Sequence, residues 1–162
     1  MFETIACSII IVKRASCITG PLLTILLVHA EKKALAQCHG RVHMLLERIL
    51  KVTPPGTIIP KPETEGDFIV KGQGIRRGKP AIIYTVPNHK SPDKPGEKGI
   101  NAAELEAAHN KLVSSGSLTR QWFKKELPKC DAEGDCNFTT VGGLFVLLGE
   151  AVYDSRGTYQ KV

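Results

Sequence analysis

The sequence predicts an α+β protein, with an N-terminal helical segment, a central β-hairpin and a C-terminal unit of three helices closed by a second hairpin. Two observations carry this. β-Branched and aromatic residues concentrate at 57–59, 67–71 and 81–86, as strands require. Apolar residues recur at three- and four-residue steps in stretches closed by Gly116, Pro128 and Gly149, as helices require.

Along the chain, residues 5–30 are apolar but are cut by Lys13 and Arg14 and again by Gly20 and Pro21. The uninterrupted runs are too short to span roughly 30 Å of hydrocarbon, and Glu3 stands where a signal peptide would carry basic residues. A helix is expected over 30–51, where Leu35, Val42, Leu45, Leu46, Ile49 and Leu50 recur. Pro54 and Pro55 stop it, because proline lacks an amide donor and restricts the residue before it. A boundary near residue 53 follows, giving segments 1–52, 53–100 and 101–162.

The strands at 67–71 and 81–86 are expected to form a hairpin through a flexible basic connection over 72–79, with Arg76 and Arg77 at its tip. Residues 87–99, rich in proline and alternating charge, read as a loop. Asn101 and Glu104 have capping-box spacing for a helix that Gly116 ends. A second helix restarts at 117–119 and holds Trp122, Phe123 and Leu127, with Pro128 ending it. A polar loop over 129–137 leads to a third helix over 138–148, and a hairpin turning at 154–157 completes the chain.

Composition fits a globular protein, with 42% hydrophobic and 23% charged residues. The net charge is +6, which points toward a polyanionic partner. Residues 67–130 hold 12 basic and 6 acidic side chains, whereas 131–162 hold 2 and 5, so the positive excess lies in the middle. Five scattered cysteines, an odd number, suggest free thiols in a reducing, cytoplasmic setting.

Helix, short turn, helix, loop, helix and hairpin, together with the phrases 115–119 (SGSLT) and 157–159 (GTY), make residues 101–162 resemble a winged helix-turn-helix domain. The nine-residue loop at 129–137 is longer than the tight turn of that motif. The resemblance implies that the third helix enters the major groove with Asn137, Thr139 and Thr140, while Arg156 at the hairpin tip meets phosphate or minor groove. The alternative for that almost wholly apolar helix is burial.

Independently of the resemblance, Arg76, Arg77 and Lys79 on the central hairpin, and Arg120, Lys124 and Lys125 around Trp122 and Phe123, are the candidate phosphate-neutralising cations. Their alternative is a solvated charged face. Gly72, Gly74 and Gly78 lack the strand-to-helix setting of a nucleotide loop. Cys130 and Cys136, with Cys38, His39 and His43, lack the repeated short spacing of a zinc site. His89 and His109 have no nucleophile in a recognised pattern. Asp67 and Lys71 share a strand face with Glu63 and Glu65 upstream, which admits a metal-dependent nuclease.

The leading expectation is therefore a nucleic-acid-binding protein, with no cofactor implied, dimerising through the apolar segment 1–52. A protein–protein adaptor is the alternative, favoured by the acidic, apolar C-terminal end. The nuclease stands third, and the balance of motifs is against an enzyme.

Overall fold

The computed structural model describes residues 44–62, 66–88, 91 and 93–162. The chain is mixed helix and strand, as expected. Helix α1 occupies residues 44–52, with Leu45, Leu46 and Ile49 buried on one face. It stops where Thr53 folds back, its amide and its hydroxyl both donating to the Ile49 carbonyl, at 2.9 and 2.7 Å. The two prolines beyond cannot extend the ladder. The earlier part of the expected helix, and Cys38, His39 and His43 with it, lie outside the described residues.

Four strands follow as an antiparallel sheet in the order β1-β2-β3-β4: β1 (Ile58–Ile59), β2 (Phe68–Arg76), β3 (Lys79–Val86) and β4 (Gly96–Asn101). Two expectations are corrected here. The glycine-rich stretch 72–76 is not a flexible connection but the second half of β2, paired from Gly72↔Ile83 to Arg76↔Lys79. The turn shrinks to Arg77 and Gly78, both at positive φ (51° and 71°), the conformation that matches strand twist in a two-residue hairpin. Likewise, the loop expected to reach residue 99 ends at Pro95, and 96–101 pairs with β3 as an edge strand. Prolines confine themselves to its approach, which costs no ladder bond.

Helix α2 (Ala102–Ser115) begins with the anticipated capping box, Asn101 and Glu104 each accepting from the other's backbone amide at 3.0 Å. Gly116 closes it in the left-handed region with φ 75°. The expected helix restart at 117–119 is instead β5 (Ser117–Thr119), which pairs with β7. Thr119 then caps α3 (Arg120–Glu126). Pro128 does not simply end that helix: it opens the short α4 (Pro128–Ala132) from a first-turn position, where its missing amide is not needed. The expected polar loop thus contains a helix. Helix α5 (Cys136–Leu147) precedes the anticipated hairpin, β6 (Ala151–Ser155) and β7 (Thr158–Lys161), and the second sheet has the order β5-β7-β6.

One continuous core joins these parts, from Leu45 and Ile49 through Tyr84, Ile100 and Leu105 to Phe145 and Tyr159. Residues on either side of Thr53 share it. Helix α5 lies at its centre and packs against β1, β4 and β6. Two adjacent glycines let both sides approach. A Cβ on Gly142 would fall 2.1 Å from the Tyr159 ring, and one on Gly143 would fall 2.6 Å from both Ile59 Cγ2 and the Pro60 carbonyl oxygen.

Helix propensity alone favours Gly→Ala by about 1 kcal/mol, whereas overpacking a filled core costs about 1–3 kcal/mol. The packing term dominates at these distances. Gly142→Ala and Gly143→Ala should each lower the urea midpoint of unfolding; a midpoint unchanged or raised would contradict the close approach.

Candidate functional site

The structure treats the expected nucleic-acid-binding residues in three ways. Asn137 and Thr140 are fully buried, which removes them from any groove-reading surface. Asn137 accepts from the Tyr84 hydroxyl and donates to the Cys130 carbonyl, so its amide ties α5 to β3 and α4. Burial pushes the Tyr84 phenol far above its ordinary pKa, with neighbouring Cys136 adding to the effect. Tyr84 is therefore a neutral donor in this network. The major-groove role expected for the third helix is corrected on the same ground: Asn137, Phe138 and residues 140–145 are all buried.

The hairpin-tip arginines form a second group, turned inward onto acids. Arg77 bridges Glu104, at the start of α2, and Glu133, just after α4. Arg76 Nε reaches Glu133 Oε2 at 3.3 Å. Partial burial works against the Arg77 charge, but Glu133 and Glu104 outweigh it and hold its pKa above the ordinary value. For Glu133, burial likewise opposes ionisation and the two guanidinium groups prevail, lowering its pKa. Sequence reasoning missed this clamp. Glu104 lies 27 residues from Arg77 and Glu133 lies 57 from Arg76, and only the folded chain brings them together. Lys79, the third basic residue of this stretch, is exposed.

Three of the remaining candidates gather. A cleft of about 590 Å³ opens where α3, α5, the β6–β7 hairpin and the chain around β2 meet, and Arg120, Thr139 and Arg156 all line it. Arg120 is placed by its amide, which donates to the Gly157 carbonyl at 2.8 Å, fixing the hairpin turn to the start of α3. Its guanidinium reaches both the Asp135 carboxylate and the Asp135 carbonyl at 2.7 Å and lies 5.5 Å from the Phe138 ring centroid. Arg156 is exposed at the turn beside it.

Aromatic rings form the floor and one wall. Phe68, Phe138 and Tyr159 are buried and meet the cleft from below, while half-buried Tyr153 stands edge-on to Tyr159 with centroids 5.6 Å apart. Lys61 adds a further cation, 4.1 Å above the Phe68 ring. Sequence reasoning missed the part played by Phe68, Tyr153 and Tyr159, which period-two burial alone would assign to core. Lys124 and Lys125 lie exposed on α3, and Lys129 on α4.

The other chemistries find less support in placement. Asp67 and Lys71 are exposed, and Lys71 pairs with Glu97 at 2.6 Å across the sheet; Glu63, Glu65 and His89 lie outside the described residues. His109 bonds Glu150 at 2.6 Å, and Arg48 of α1 joins the same carboxylate. Cys130 is buried, and burial with nearby Glu104 pushes its thiol well above the usual range. Among the described residues, no group of three or more His, Cys, Asp or Glu side chains is placed to hold a metal ion. No helix among them is long and apolar enough to cross a membrane. Of the segment expected to offer a dimer surface, α1 uses Leu45, Leu46 and Ile49 for the chain's own core.

The clamp makes a pH-dependent prediction. A carboxylate whose folded pKa is depressed contributes stability above its unfolded value and loses it as pH falls through the folded one. Glu133 should therefore contribute to stability at neutral pH, and that contribution should decline from about pH 4.3, the ordinary glutamate value, downward. Glu133→Gln should flatten that decline in a urea-unfolding series. Arg77→Asn tolerates positive φ yet removes both ion pairs, and should cost roughly 2 kcal/mol. A loss no larger than that of an exposed lysine substitution would refute the clamp.

No protein-family model, no curated protein and no solved structure matches the chain.

Proposed function

We propose that residues 101–162 form a winged helix-turn-helix unit and that the protein binds nucleic acid through the cationic cleft beside its wing, not through the third helix. The succession α2, β5, α3, α5, β6, β7 and the sheet order β5-β7-β6 support the first part. The β6–β7 hairpin is then the wing, and α4 is an insertion between the second and third helices of the motif.

The single observation that carries the second part is the convergence of Arg120 and Arg156, from separate elements, on one aromatic-floored cleft. Guanidinium groups suit phosphate oxygens because they present several donors in a planar fork. Lys124 extends the cationic surface, since four residues from Arg120 on a helix is one turn along the same face. Arg76 and Arg77 of the basic hairpin are engaged by Glu104 and Glu133 and take no part in this reading, whereas Arg120, itself paired with Asp131 and Asp135, is held at the cleft.

The burial of α5 favours a second reading, in which the winged-helix unit is a protein–protein adaptor. Affinity for nucleic acid separates the two. Binding through phosphates releases counterions, so log affinity falls linearly with log salt. The expected result is measurable binding at about 50 mM salt, a steep salt slope, and at least tenfold weakening in an Arg156→Ala/Lys124→Ala/Lys125→Ala variant. Arg76→Ala should leave affinity nearly unchanged. Absence of binding to duplex and single strand alike at low salt would transfer the proposal to the adaptor.

A further inference from the structure

We infer that the cleft accepts an unstacked base of a single-stranded nucleic acid, with Tyr153 as the ring it stacks on and Arg120 and Arg156 holding the flanking phosphates. This rests on the nucleic-acid reading and specifies its ligand.

Shape is the first argument. A duplex is read in its major groove by a protruding helix or ribbon, and here the candidate surface is concave, while the helix that would protrude is buried between other elements. A volume of about 590 Å³ lies within the range of small-molecule sites, about 300–1,000 Å³. One nucleotide suits that space; a base pair within a stacked helix cannot enter it.

The lining is the second. Phe68, Phe138 and Tyr159 make an apolar, aromatic floor, and half-buried Tyr153 on β6 has the only ring of the four that is not largely buried. Any base offers a π-face to such a ring, so the contact tolerates sequence. The Thr139 hydroxyl, one turn into α5, supplies a donor and acceptor for a base edge. Arg120 and Arg156 sit at the rim together with Asp135, where phosphates flanking an inserted base would exchange with that carboxylate for the guanidinium groups.

Charge is the third, and it distinguishes a strand from a lone nucleotide. Beyond Arg120 and Arg156, exposed Lys124, Lys125 and Lys129 lie on α3 and α4, against Glu126 and Asp131 on the same elements. A single phosphate needs one or two of these cations. Several of them on neighbouring helices suit a chain of phosphates.

The test uses the whole protein and fluorescence anisotropy with three probes: a labelled oligothymidylate of about twelve nucleotides, a mixed-sequence duplex of the same length, and thymidine monophosphate as competitor. The expected result is at least tenfold preference for the oligothymidylate over the duplex, with the monophosphate competing only weakly. Tyr153→Leu, which keeps an apolar side chain on β6, should weaken oligothymidylate binding about tenfold or more, as loss of one stacking contact does, and Tyr153→Phe should restore it. Arg156→Ala, at an exposed turn, should lower the salt slope by about 0.7, the value for one phosphate contact on a single strand.

Salt-dependent binding with no preference for the single strand, unaffected by Tyr153→Leu but weakened by Arg156→Ala, overturns the base-accepting cleft and leaves the nucleic-acid reading standing. Monophosphate competing as well as the oligomer overturns the strand and assigns the cleft to a free nucleotide. No binding of any probe removes both readings together.

Discussion

The Gly142–Gly143 pair is the constraint on which the rest of this structure depends. It lies in a helix, where glycine is unfavourable by about 1 kcal/mol relative to alanine, and its small size lets two layers close on α5 at once. Tyr159 of the β5-β7-β6 sheet presses on one side, and Ile59 with the Pro60 backbone presses on the other. A Cβ at either position would hold one layer away. The contiguous core, running from α1 to β7, follows from that contact.

The same closure redirects the chemistry of the C-terminal unit. A helix in this position could present polar side chains to a groove, and Asn137 and Thr140 are the residues that suggest it. In the folded chain they are buried because the β1–β4 sheet lies against that helix, and Asn137 satisfies both ends of its amide on Tyr84 and Cys130. An unpaired amide there would cost the desolvation of its polar atoms. Its residue type is accounted for by the core network it completes. What the closure leaves at the surface is the margin of α5, where its first turn meets the β6–β7 turn, and that margin is the cleft.

Much of the fold was legible because its signals are local. The Asn101–Glu104 spacing, Gly116, and the turn between 154 and 158 each specify backbone geometry within a few residues, and each is realised. The misreadings share a cause, which is that pairing partners lie far away in the chain. Residues 117–119 continue a helical pattern locally but form β5 because β7, some forty residues later, offers them a ladder. Gly72 and Gly74 read as a flexible connection, yet β3 supplies an edge along which even glycine extends, with Ile83 filling the space above Gly74. Pro128 is a stop by propensity and a start by position.

The site was legible in its cations and not in its arrangement. Ten residues were singled out by charge or by analogy, and charge alone could not separate Arg77 from Arg156, since both are arginines at the turn of a hairpin next to glycine. What separates them is what each turn faces. Arg77 meets Glu104 and Glu133, so its charge is consumed in joining the first sheet to α2 and the α4–α5 junction. Arg156 sits exposed beside Arg120 above aromatic rings. Acids attend both turns, since Asp135 and Asp131 lie 2.7 and 3.7 Å from Arg120 just as Glu104 and Glu133 hold Arg77. The difference is therefore one of setting: the acids beside Arg77 join the first sheet to the C-terminal helices, whereas those beside Arg120 fix its guanidinium at the edge of an open, aromatic-floored cleft.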